Sequence, residues 1–250
     1  IMFGHFIRIW GRTLDELSLE VRDPVGEGFM HGRAASSMTK STEHEGSAKP
    51  KKGQAELHPK LLRIRPAFAG AHTAIDRVRR QNADWLQPWD ATLPPDTYGN
   101  AGQTLAEYRR TVDRAQRAGR ALVMKLEIGG EIVGQFSLTN VTHGAMSSGM
   151  LGYWLAEKWA GRGLATFTCA AIIDLVIGEL GLHRVEVVIR PENRASLGVA
   201  RKLGLHREGL RPRYMHIDGA WADHEAFSID AESLPSGGLV KSIYGHAIGQ

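Results

Sequence analysis

Apolar and charged residues alternate through "LLRIRPA" at 61–67 until a proline stops them, which predicts a first strand. The period then lengthens: 71–86 and 101–118 carry helical spacing, and the second segment closes at Gly119, a helix-stop signal. Between them "ADWLQPWDATLPPDTYG" sets prolines among aromatics and reads as a structured loop. "ALVMKLEIGGEIVGQFSLTNV" places two apolar-rich runs around Gly129-Gly130, a hairpin signal, and "SSGMLGYWLAE" adds another strand to form an antiparallel meander. Next comes "WAGRGLATFTCAAIIDL". From Phe167 its apolar positions continue as Ala170, Ala171, Ile173, Val176, Ile177 and Leu180, the spacing of a buried helix face ending at Gly181. "HRVEVVIR" is a fifth strand, and "NRASLGVARKLG" a short helix with Asn193 at its cap and Gly204 at its end. "LRPRYMHIDGAWADHEAFSID" reads as a final hairpin turning at Asp218-Gly219.

This order predicts an α/β (α+β) plan, with helices interrupting a mixed sheet. The strand, glycine turn, helix and strand over 149–189 form a crossover, which puts the fourth and fifth strands in parallel. Residues 33–56, rich in Ser, Lys, Glu and Gly, read as a flexible linker, and their "KPKK" as a solvated run. Before them, 1–32 is an extension without a clean period. A folded domain is expected over 57–235, with a tail at 236–250.

Composition narrows the setting. Hydrophobic residues make up 42% and charged residues 23%, and no apolar run approaches the ~18 residues that span a bilayer, so no membrane partner is expected. His5 and Arg8 interrupt the apolar opening, and no small-residue cleavage site follows, so a secretory leader is not expected. Cys169 is the single cysteine, which removes internal disulfides and cysteine-based zinc sites and favours a cytoplasmic location. A net charge of +4 and a pI near 9.3 suit an acidic ligand without naming one.

Chemistry concentrates at "AGRGLAT". A helix start leaves backbone N–H groups unpaired, and Gly161 and Gly163 let an anion approach them. A Walker A loop would need Gly-Lys-Ser/Thr, which is absent. The dinucleotide fingerprint G-x-G-x-x-G/A nearly fits, but it follows the first strand of a parallel unit, whereas a meander precedes this turn. The pattern Arg/Gln-x-x-Gly-x-Gly/Ala after a fourth strand fits better, with Ala160 standing where Gln or Arg is usual. On it, and on "GYWLAEKWAGRGLAT", "HRVEVVIRPENRASLGVARKLGL", "GAWADHEAFSI" and "NADWLQPWDATLPP", residues 60–232 resemble the GCN5-related N-acetyltransferase (GNAT) family, in its RimJ/RimL branch.

The resemblance implies a central, mostly antiparallel sheet with a splayed parallel pair. It implies acetyl-CoA as donor, its pyrophosphate on Gly161, Arg162, Gly163, Leu164, Ala165 and Thr166, and its pantetheine along the backbone of Trp154 and Leu155. Asn193 and Ser196 fill the branch's Asn-x-x-Ser pattern, Asn193 ordering the helix start or holding pantetheine and Ser196 serving the sulfur. Glu186 and His183 are candidate bases, with a salt-bridged Glu186 as the plainer reading. Trp85, Trp89, Tyr153 and Trp221 are candidate walls of an acceptor pocket. Asp223-His224 sits where the branch has a similar pair. No metal site is expected, since His216 is the only other histidine close by and three ligands are not in register. Cys169 is expected to be a buried small hydrophobe.

The implied acceptor is a protein N-terminal α-amine, as in the branch's ribosomal substrates. The alternatives are a small amine such as an antibiotic or polyamine, and a noncatalytic module that binds CoA or RNA. Proximity to ribosome or RNA is compatible with the basic charge, and the expected state is a monomer or homodimer.

Overall fold

The computed structural model describes residues 8–22, 61–95 and 104–248. The predicted strands appear as β4 (Leu61–Pro66), β5 (Leu122–Ile128), β6 (Glu131–Thr142), β7 (Ser148–Leu155), β8 (Arg184–Ile189), β9 (His206–Ile217) and β10 (Ala220–Asp230). With β3 (Leu19–Arg22) they form one sheet in the order β3-β4-β5-β6-β7-β8-β10-β9. β7 and β8 pair in parallel and all the other neighbours antiparallel. The helices are α1 (Ala71–Gln81), α2 (Ala83–Leu86), α3 (Leu105–Arg117), α4 (Leu164–Asp174), α5 (Arg194–Lys202) and α6 (Gly238–Ile248).

Strand alternation assigns the two faces. Leu122, Met124 and Leu126 of β5 enter the main core with Phe167, Ala170 and Ile173 of α4. Val123 points the other way and packs with Ile75 of α1 and Val112 of α3. A strand's side chains alternate in direction, so one sheet carries helices on both sides. α4 is apolar nearly all round, as a helix sunk against a sheet should be, and runs into a π-helical turn over Leu175–Glu179.

Three expectations need correction. The helix over 71–86 is broken at Asn82, whose backbone leaves the helical region. Its side chain ties the break down: Nδ2 donates to the Val78 carbonyl and Oδ1 accepts the Glu157 backbone N–H. The packed core also does not begin at residue 57. β1 (Arg8–Ile9) and β2 (Arg12–Thr13) form a small hairpin, β3 pairs with β4, and Ile9 and Leu17 are buried in the main core. These elements are two to four residues long, too short to show a period on their own. Finally, the segment after residue 235 is helical: α6 lies on α4, with Leu239 buried and Tyr244 edge-on to Phe167. The linker over 33–56 lies outside the described residues.

Candidate active site

β7 and β8 share only the pairs Ser148–Arg184, Gly149–Val185 and Met150–Glu186, although β7 runs on to Leu155 and β8 to Ile189. Past Met150 the two strands part. β8 stays paired to β10 up to Ile189, and β7 stays paired to β6 up to Leu155. Residues 151–155 therefore face an opening where a strand partner would lie. A cavity of about 680 Å³ occupies it and adjoins a smaller one of about 290 Å³. Trp89, Ser137, Gly152, Tyr153, Asn193 and Ser196 line both.

The glycine turn closes one end of the larger cavity. Gly161 (φ 73°) and Gly163 (φ 80°) are both in the left-handed region, which L side chains enter at a cost of about 1–2 kcal/mol. Gly163 is the N-cap of α4 and offers no side-chain acceptor, so the first N–H groups of the helix are left to an outside partner. Leu164, Ala165 and Thr166, which carry them, line the cavity. A Cβ on Gly161 would meet nothing within 4 Å, so the surface in front of the turn is clear. This donor set fits a phosphate.

Arg162 turns elsewhere: its guanidinium stacks over Trp159, 5.2 Å from the ring centroid, and it does not line the cavity. The cations that do line it are Arg79, Arg194 and Lys202. Arg79 is paired with Asp90 at 2.7 Å, whereas Arg194 and Lys202 come from α5. Sequence reasoning missed them, yet a signal was there. Arg194, Gly198 and Lys202 stand four residues apart and so share one helix face.

Farther along β7, Trp154 and Leu155 line the larger cavity, and the Leu155 carbonyl accepts the Trp85 indole N–H at 3.1 Å. Trp85 and Trp89 therefore reach the site from the segment after α1. Tyr153 stacks on Phe136, and its hydroxyl is buried without a hydrogen-bond partner among the described residues; Ser196 is the side chain that bears on it. Burial holds the phenol well above the ordinary tyrosine range, so it keeps its proton. At the start of α5 the Ser196 backbone N–H donates to Asn193 Oδ1, 3.0 Å away. That bond caps the helix and leaves the Ser196 hydroxyl on the cavity wall.

Besides Arg162, the candidates Glu186, Trp221 and His183 are not brought to the cavities. Glu186 is on β8, where the even positions face away from the core, and it binds Arg184 at 3.2 Å and Arg211 at 3.1 Å in an ion network that includes Glu208. Trp221 is 56% exposed near the β9–β10 turn, edge-on to His216, and lines neither cavity. His183 is paired with Glu232 at 2.7 Å. Cys169 is fully buried on α4, and burial pushes its thiol far above the ordinary range, consistent with an inert core residue. Among the described residues, no group of three or more His, Cys, Asp or Glu is placed to hold a metal ion.

A phosphate seat at a helix start, an unpaired strand edge leading from it, and hydroxyls at the far end together suit a phosphate-bearing acyl carrier. Comparison with known proteins agrees. Residues 62–206 match the family model described as Acetyltransferase (GNAT) domain. The chain is 27% identical over 175 residues to a probable N-acetyltransferase, YjcK, of Bacillus subtilis, covering 69% of this chain and 96% of that one. It is 34% identical over 94 residues to the ribosomal protein uS5 alanine N-acetyltransferase of Escherichia coli, covering 38% of this chain and 48% of that one. Among solved structures, RimJ of Mycobacterium smegmatis in complex with CoA-disulfide is 35% identical, with a TM-score of 0.62 over 70% of this chain and 84% of that one. The chain belongs to the GNAT acetyltransferase family: it is an N-acetyltransferase whose acetyl donor is acetyl-CoA.

Proposed function

We propose that the enzyme acetylates the N-terminal α-amine of a protein. The observation that carries this reading is the lining of the smaller cavity. Among the described residues around it there is no aspartate or glutamate; Met150, Leu151, Val187, Ile189, Met215 and Ile217 are apolar, and Arg190 is the charged side chain. A polyamine or aminoglycoside carries several cations and needs carboxylates to hold them. An α-amine is different: its pKa of about 7.7–8.0, against about 10.4 for lysine, leaves a substantial neutral fraction near neutral pH. The name of the Escherichia coli relative, an alanine N-acetyltransferase of ribosomal protein uS5, supports a protein acceptor.

In this reading the donor's pyrophosphate sits on the N–H groups of Leu164, Ala165 and Thr166, with Arg194 and Lys202 supplying charge from α5. The pantetheine arm takes the open edge of β7 near Trp154. Bound acetyl-CoA supplies an activated thioester carbonyl. Ser196 gives a proton or hydrogen bond to the sulfur, and the Tyr153 phenol, kept protonated by burial, lies beside it. Asn193 fixes the turn that places Ser196, and Trp85 and Trp89 wall the acceptor side. The small-amine reading is tested by giving the enzyme acetyl-CoA with an N-terminal peptide library beside a panel of polyamines and aminoglycosides. Preferred turnover of peptides supports the assignment, and preferred turnover of polycations overturns it.

A further inference from the structure

His224 is 3% exposed and belongs to none of the roles above. It follows a β-bulge, where the register of β10 against β9 shifts between Ala222 and His224. Asp223 holds that irregularity by accepting the Arg213 backbone N–H on its carboxylate at 2.7 Å. Bulges redirect side chains, and here the ring is turned onto the wall of the smaller cavity, which it shares with Tyr153, Asn193 and Ser196. Nδ1 lies 3.0 Å from the Ala222 carbonyl oxygen. A carbonyl can only accept, so Nδ1 carries the proton and Nε2 the lone pair. The bond to Ala222 engages Nδ1 and leaves Nε2 outside it. The Tyr214 ring stands edge-on at 5.9 Å and holds the imidazole plane.

We propose that His224 is the general base, its Nε2 taking a proton from the acceptor's ammonium before the nitrogen attacks. This rests on the amine-acceptor reading above. The balance is simple. One ammonium proton passes to Nε2 and then to water. The nitrogen bonds to the acetyl carbon, the carbon–sulfur bond breaks, and the second nitrogen proton ends on the sulfur by way of Ser196. The charged and titratable groups around the imidazole are Arg190 and Glu192 after β8, Asp223 on its own strand, and Tyr214 on β9, itself stacked on Arg211. Burial, with Arg190 adding to it, outweighs the bond to Ala222 and holds the imidazole below the ordinary histidine range, so it is neutral and able to accept at neutral pH.

The test compares pH profiles of kcat/KM for the full chain and for His224→Asn, whose amide keeps a donor toward Ala222. With the base present, the acid limb lies below pH about 6.5; without it only the neutral amine reacts, and the limb moves to the amine's own ~7.7–8.0, falling roughly tenfold per pH unit. Calorimetry with CoA, unchanged in the variant, shows that the donor site is intact. NMR of the ring nitrogens in the unaltered, donor-free protein supplies an independent reading. An Nδ1–H tautomer that titrates below pH about 6.5 supports the proposal. An Nε2–H tautomer, or a limb at the same pH in both proteins, overturns it. Should no peptide be acetylated, the acceptor reading fails by itself, and the limb read on whichever small amine is turned over decides the role of His224.

Discussion

Gly134 on β6 lies so close to Trp154 on β7 that a Cβ at 134 would stand 2.5 Å from the Trp154 carbonyl oxygen and 2.6 Å from a Leu155 methyl. Backbone cannot yield as a flexible side-chain tip can, so the end of β7 would have to move. That end forms the wall of the larger cavity. Gly134→Ala should cost about 1–3 kcal/mol, the usual penalty of overpacking, and should weaken CoA binding as well. Thermal unfolding and calorimetry measure the two effects, and normal values for both would remove the close approach from the account.

The glycine turn predicts a contrast. Gly161→Ala and Gly163→Ala each place a side chain on a left-handed backbone, so each should cost about 1–2 kcal/mol and raise the Kd for acetyl-CoA. At Gly161 the penalty comes from the backbone alone, because the space around its Cβ is open. Ala160, with an ordinary extended backbone, should accept Ser or Gln with little change in affinity.

Ser196 and Asn193 should separate kinetically. Ser196→Ala retains the backbone N–H that Asn193 accepts, so CoA affinity and folding should persist while kcat falls by about 10²–10⁴-fold, the usual range for a lost proton donor. Asn193→Ala removes the cap and should lower stability by about 1 kcal/mol together with kcat. Steady-state kinetics and a denaturant midpoint for each variant check this.

On the far side of α4, Asp174 accepts the Leu239 and Val240 backbone N–H groups at 2.7 and 2.9 Å, capping α6. Burial raises its carboxyl pKa more than these bonds lower it. A folded-state pKa above the unfolded one means protons are taken up on folding, so this residue's contribution falls as pH rises from about 4 through the raised value. Asp174→Asn keeps an acceptor and removes the titration; its stability relative to wild type should therefore improve as pH rises through that window. Urea midpoints at several pH values test the sign.

How much of this was legible depended on how local each signal is. The Gly129-Gly130 hairpin and the Asn193 cap rest on neighbours in sequence, the parallel pair at 148–150 and 184–186 follows from the strand, helix, strand order that joins it, and the structure contains all three. β3 was not legible because four residues take their meaning from β4, about forty residues later. Glu186 and Trp221 carried suitable chemistry on unsuitable faces: one points into an ion network, the other sits near an exposed turn. Arg194 and Lys202 were readable in principle from their helical spacing. His224 was not, since its tautomer depends on a bulge that no pattern of residue types reveals.

The central claim is acetyl transfer to an N-terminal α-amine. The most direct measurement is fragment-ion mass spectrometry of a peptide that bears both a free α-amine and an internal lysine, after incubation with acetyl-CoA and the enzyme. A single acetyl group on the α-nitrogen and an unmodified lysine are expected. Acetylation of the lysine alone, or turnover confined to small polycationic amines, would contradict it.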